Sequence, residues 1–182
     1  MKAFNFRFIL AFLLIAYNFA FAKFAIVDIK QIEDEAVVTK NLKNQIAKAG
    51  EVLEKEVTDA RAEMEKKVAD LQKAASTLSS EAVEKRKGDL QKEFMAIEGS
   101  LQEHDAAIQE ARTKALETIN QKVKDIAKKI AEKRDYEAVF ASTFIIYYPS
   151  ALDITKDVIN ELNSEMKTVA FEVKAKKSSK KK

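Results

Sequence analysis

Two apolar stripes of helical period, nearly equal in length and separated by a pair of serines, constrain this chain more than any other feature. From Leu42 to Leu78 apolar residues recur in steps of three and four, averaging about 3.6, the α-helical repeat. A left-handed supercoil needs a 3.5-residue repeat, so each stripe is expected to run nearly straight along one partner helix. Ser79 and Ser80 interrupt the first stripe, and a second runs from Val83 to Ile130. Ser80 is placed to cap the new helix, with Glu81 and Glu84 in its positive first turn. No proline falls in either stripe. Gly88 and Gly99 each weaken the second helix by ~1 kcal/mol relative to alanine, which makes its half nearest the turn the more pliable one.

Arm length then sets the architecture. Residues 28–79 and 80–135 each reach roughly 80 Å if wholly helical. The first arm carries a break near Val38 and Thr39, where Thr39 can cap. Folding at 79–80 returns residues 24–28 (FAIVD, a buried-strand pattern) to the side of residues 136–148. There YEAVF and FIIYY flank a short polar link and read as a β-hairpin closed by Pro149. Thr155 can cap a last helix, with Ile154 and Ile159 as its hydrophobic staple and Val158 and Leu162 on its apolar face. The expected fold is mainly α with a small β part, a long helical hairpin on a small sheet body. Three short strands make a small core with open edges. Phe24, Ile26, Val139, Phe140, Phe144, Ile146 and Tyr148 crowd that body, and closed assembly of several copies is the expected remedy. A dimer and a trimer both satisfy this argument.

The amino terminus fixes the compartment. Lys2 and Arg7 precede an apolar run over residues 8–20, and Ala20, Phe21 and Ala22 form an A-x-A exit. This is a secretory signal cleaved after Ala22; the rival is an uncleaved anchor, for which the run is short. No later stretch is long enough to span a membrane. The chain has no cysteine, one histidine, one proline and three glycines. Disulfides and thiol chemistry are excluded. Nothing resembles a catalytic constellation, a phosphate loop or a metal-ligand cluster, so no catalytic, cofactor or metal residue is assigned and an enzyme is the remotest reading. Net charge is +3 overall; +5 belongs to residues 164–182 and +2 to the signal, which leaves −4 on residues 23–163. The division expected is therefore a signal (1–22), one domain (23–163, with 23–28 and 136–163 as body and 29–135 as arm) and a basic disordered tail (164–182).

In that order, signal, FAIVD strand, charged helical hairpin, strand pair and the closing segment SALDITKDVINELN (residues 150–163), the chain resembles the Skp (OmpH) family of periplasmic chaperones. The resemblance covers the whole mature length. It implies a jellyfish-shaped homotrimer that encloses unfolded outer-membrane proteins without ATP or any cofactor. The chain departs from the family pattern in its mildly acidic body and in the lysine tail past the last helix. Met64, Phe94, Met95 and Ile97 are the apolar arm residues that clients would touch, methionine being able to repack around different partners. Lys73, Lys85, Arg86 and Lys87 form a basic patch at the tip. The resemblance implies weak contact there with anionic lipid or lipopolysaccharide; the plainer reading is a solvated face offset by Glu81, Glu84 and Asp89. Lys180, Lys181 and Lys182 form a run suited to anionic surfaces, and export argues against nucleic acid. His104, on the second stripe, reads as a helix-interface residue, with ligand or pH-sensing roles as the rival. The alternative from another class is a structural coiled-coil envelope protein held by an uncleaved amino terminus.

Overall fold

The computed structural model describes residues 23–174. The predicted signal and the Lys180–Lys182 run lie outside those residues. The element order is β1 (Phe24–Val27), α1 (Ile29–Glu35), α2 (Val37–Ala74), α3 (Ser80–Lys133), β2 (Ala138–Ala141) and α4 (Thr155–Glu165), with single 3₁₀ turns at Ser142–Phe144 and Ser150–Leu152. The two arm helices have 38 and 54 residues, or about 57 and 81 Å at the α-helical rise. No described helix is long and apolar enough to cross a membrane.

The turn at the tip forms where the stripe breaks, but Ser79 is the cap rather than Ser80. The Ser79 hydroxyl accepts the Ala82 N–H at 3.2 Å and Ser80 is the first helical residue. The break at the root lies at Ala36, three residues before Thr39. Ala36 is extended and serves both helices, closing α1 and opening α2. Thr39 sits inside α2, and its buried hydroxyl donates back to the Ala36 carbonyl at 2.7 Å. The free Val37 N–H is met from outside the helix, by Asn163 Oδ1 at 2.8 Å. A side chain from the end of α4 thus caps the start of the arm.

The sheet also differs from the hairpin expected. β1 pairs in parallel with β2, Phe24 opposite Ala138 and Val27 opposite Ala141. A parallel pair needs a long crossover, and the whole arm supplies it. After Ala141 the chain tightens into a 3₁₀ turn, with the Ile145 N–H on the Ser142 carbonyl at 2.8 Å. Residues 144–148 form no strand. Their β-rich composition has no neighbouring ladder to join within the chain, and such propensity acts only in context.

The core sits at the root. Ala25 and Val27, Ile32, Val38 and Leu42, the α3 residues from Ala115 to Ala127, and Ile154, Val158, Ile159 and Leu162 form one buried cluster. Fully burying a side chain such as Leu162 contributes about 1.5–3 kcal/mol. Buried residues end at Leu42 on α2 and begin at Ile108 on α3. Between these limits and the tip, no described residue is fully buried.

The basic tail does not leave the fold at residue 164. Residues 166–174 continue along the arm, where Val169 is buried and Met166 and Phe171 pack against the core.

Candidate functional site

The outer halves of the arm helices are joined by polar links and are open between their apolar faces. Lys67 on α2 bridges to Glu93 on α3 while also holding Glu63, one turn back, at 2.8 Å. These partners raise the Lys67 ammonium above its ordinary pKa, the Glu63 hydrogen bond being the largest cause. The same bond lowers that of Glu63. Nearer the root, His104 Nδ1 stands 2.7 Å from Glu56 Oε2. His104 therefore joins the two helices, as a stripe residue should.

An apolar groove of about 740 Å³ opens among these links. Val57, Ala60, Met64 and Val68 line it from α2; Leu90, Phe94, Ile97 and Leu101 line it from α3, with Arg61, Glu65 and Glu98 at its edges. Met64, Phe94 and Ile97 of the expected client residues meet here. Met95 does not: it points elsewhere on α3 and is 58% exposed, against 47% for Phe94. The second stripe is complete at this level, with Leu90, Phe94, Ile97 and Leu101 in steps of four, three and four, yet none of the four is fully buried. Small and polar side chains of α2, Ala60, Ala69 and Gln72, complete the lining. Such a surface offers dispersion and desolvation to an apolar chain without fixed geometry.

Lys73, in the last turn of α2, and Lys85, Arg86 and Lys87, early in α3, are all exposed. Lys87 pairs with Glu84 at 2.8 Å. Arg86 lines a small surface hollow together with Asp70, Asp89 and Glu93. The patch is thus interleaved with carboxylates.

The body residues divide. Ile26 is buried in the chain's own core and Val139 packs against that core. Phe24 and Phe140 meet edge to face, ring centroids 6.0 Å apart, yet both remain largely exposed. Phe144 and Ile146 stand fully exposed. Tyr148 turns inward; its hydroxyl donates to Asp153 Oδ2 at 3.4 Å, and burial, then the Asp153 carboxylate, raises its pKa. Among the described residues no group of three or more His, Cys, Asp or Glu side chains is placed to hold a metal ion.

Helix period places His104 at the interface but names no partner for it, nor the Lys67–Glu93 link, although a signal for both pairs exists. Lys67 and Glu93 are 26 residues apart, and Glu56 and His104 are 48 apart. Both pairs are centred on residue 80. A hairpin folded there sets them opposite each other.

Compared with known proteins, residues 23–162 match the family model described as outer membrane protein (OmpH-like). Among solved structures, a candidate outer membrane chaperone (OmpH-like) of Caulobacter crescentus CB15 superposes with a TM-score of 0.78 at 18% identity, covering 85% of this chain and 91% of that one. No curated protein matches.

Proposed function

Because this chain belongs to the OmpH-like outer membrane protein family, we propose that it is a periplasmic holdase, which keeps unfolded outer-membrane proteins from aggregating without ATP. The observation that carries this reading is the open apolar groove between the outer arm helices, on a scaffold whose rigid core is confined to the root. A holder of many sequences needs apolar surface that is available and adaptable, and methionine and phenylalanine on a weakly packed hairpin provide it. Residues 23–163 act as one chaperone unit after removal of the export signal, and the family match beginning at residue 23 supports that boundary. Three copies join through the body, where one chain leaves the apolar side chains of Phe24, Phe140, Phe144 and Ile146 exposed. The tip cations take anionic lipid or lipopolysaccharide weakly at most, because neighbouring carboxylates offset them.

The test mixes purified mature protein with a urea-diluted outer-membrane barrel protein and follows light scattering. Aggregation should fall at molar excess of chaperone, with no effect of ATP. A Met64→Ser/Phe94→Ser variant should protect less while keeping its helix content. Unchanged aggregation with the wild-type protein rejects the reading.

A further inference from the structure

The segment after α4 lies outside the family match, which stops at residue 162, yet it is laid down on the arm in an ordered way. Glu165 anchors its start, paired with Lys122 and with Lys129 of α3. Past a bend at Lys167 the chain is neither helix nor strand, and its burial alternates with a period of two. Val169 is buried and Phe171 and Val173 are half-buried, while Thr168, Ala170, Glu172 and Lys174 are exposed. The apolar edge of this strap packs against the core at the root.

The polar contacts address its main chain. Asn41 Nδ2 donates to the Lys167 carbonyl at 2.7 Å, and Gln45 Nε2 to the Val169 carbonyl at 3.5 Å. The spacing explains the fit. Residues four apart on a helix rise about 6 Å, and carbonyls two apart on an extended chain are about 6.6–6.8 Å apart. Two amides on one face of α2 therefore meet alternate carbonyls of an extended peptide. Carbonyls are common to every sequence, so the seam selects only an extended backbone with apolar residues at alternate positions. Farther out the seating is loose: a space of about 250 Å³ separates Ala170, Glu172 and Lys174 from Ala107, Ala111 and Lys114 of α3.

We propose that the α2–α3 seam at the arm's root is a site for an extended peptide of alternating apolar pattern, and that residues 167–173 occupy it in cis as a displaceable strap. Transmembrane β-strands have this alternation, so the strap imitates a segment of the client class; that identification of the occupant rests on the holdase reading above. Occupation in cis is favoured by tethering, which acts like a high local concentration. A client segment then enters only when bound strongly enough elsewhere on the arm to displace the strap.

The test uses the full mature chain and a fluorescent peptide with the sequence of residues 164–174. The Val169→Asp/Phe171→Asp chain, its strap released, should bind the peptide at least tenfold more tightly than wild type. Adding Asn41→Ala/Gln45→Ala should remove at least tenfold of that binding. A peptide of the same composition with its apolar residues made contiguous should bind at least tenfold more weakly. Equal binding to wild type and strap variant, or binding indifferent to Asn41 and Gln45, overturns the proposal. Hydrogen exchange on the wild-type chain decides independently of whether any variant folds. Millimolar peptide should speed exchange at residues 167–173, and unchanged protection overturns the proposal. Since none of these readouts is aggregation, peptide capture without protection of a barrel precursor would sink the holdase reading alone, and protection without capture would sink the seam site alone.

Discussion

Asp28 and Thr155, 127 positions apart, are joined by one hydrogen bond: the Asp28 main-chain N–H donates to Thr155 Oγ1 at 2.8 Å. Thr155 is 1% exposed. Its own N–H is taken by Asp153 Oδ1 at 2.8 Å, so the hydroxyl is free to serve the other end of the chain. Asp28 in turn gives its carboxylate to the Gln31 N–H, capping α1. The end of β1, the start of the arm and the start of α4 meet at this point.

Thr155→Val keeps the side-chain shape but leaves the part-buried Asp28 N–H without its acceptor. The expected cost is about 1–3 kcal/mol. Thr155→Ser should cost less than half as much. Urea midpoints of the two variants check this. Equal midpoints for valine and wild type would show that the bond is dispensable.

Asp135 is the one described non-glycine residue with positive φ, at 56°. It follows the Arg134 cap of α3, and the Tyr136 N–H returns to the Ala131 carbonyl at 2.9 Å, closing a Schellman-type turn. A left-handed residue bearing a Cβ costs roughly 1–2 kcal/mol, part of which glycine gives back in unfolded-state entropy. Asp135→Gly should therefore stabilise the fold by about 0.5–1 kcal/mol. A higher thermal midpoint is the expected result, and a lower one would mean that the carboxylate has a partner role in the fold.

Glu165 links α4 to α3, and its pKa is lowered to about 2, chiefly by the hydrogen bond from Lys122 and next by that from Lys129. In an unfolded chain glutamate titrates near ~4.3. The group is depressed in the folded state, so its contribution is fully present above that unfolded value and is lost as pH falls toward about 2. The Lys129 ammonium, raised mainly by the same hydrogen bond, gives the opposite limb: its contribution fades as pH rises through its raised value. Wild type should lose stability between pH 5 and pH 2 more steeply than Glu165→Gln. Parallel curves of urea midpoint against pH would remove Glu165 from this role.

How much of this was legible in the sequence depends on the range over which each signal acts. The stripes from Leu42 and Val83 report helix and turn because apolar period is a local record of burial. The root was harder. Residues 144–148 have the composition of a strand, but β1, far away in sequence, pairs with β2 instead, and no local pattern records parallel partnership. Thr155 and Thr39 look like caps in any window of ten residues; only the folded root turns the Thr155 hydroxyl to Asp28, while Thr39 lies inside α2 and bonds back to the Ala36 carbonyl. The strap was hidden by charge. Lysines dominate residues 164–182, so that by composition the alternation of Val169, Phe171 and Val173 beneath them passes for part of a disordered tail. The groove residues Met64, Phe94 and Ile97 were identifiable as large apolar groups on a pliable half-arm. That Met95 lies off the groove follows from helix phase, one residue from Phe94 being about 100° around the axis.

Assembly through the body gives the last prediction. Phe144 and Ile146 are fully exposed in the single chain and belong to no strand of it. Substituting either should therefore leave the protomer's fold intact, which separates loss of assembly from loss of structure. If the proposed trimer closes through this segment, Phe144→Asp or Ile146→Asp places an unpaired carboxylate in a dry interface. That costs enough to dissociate a modest assembly. Lys85→Ala and Lys87→Ala, at the far end of the arm, should leave it unchanged. Sedimentation velocity measures the species directly, and circular dichroism should show the helices retained in every variant. A trimer that survives both aspartates puts the interface elsewhere on the body. A wild-type dimer would overturn the threefold assembly itself, while still leaving the exposed aromatic segment to be covered by a second copy.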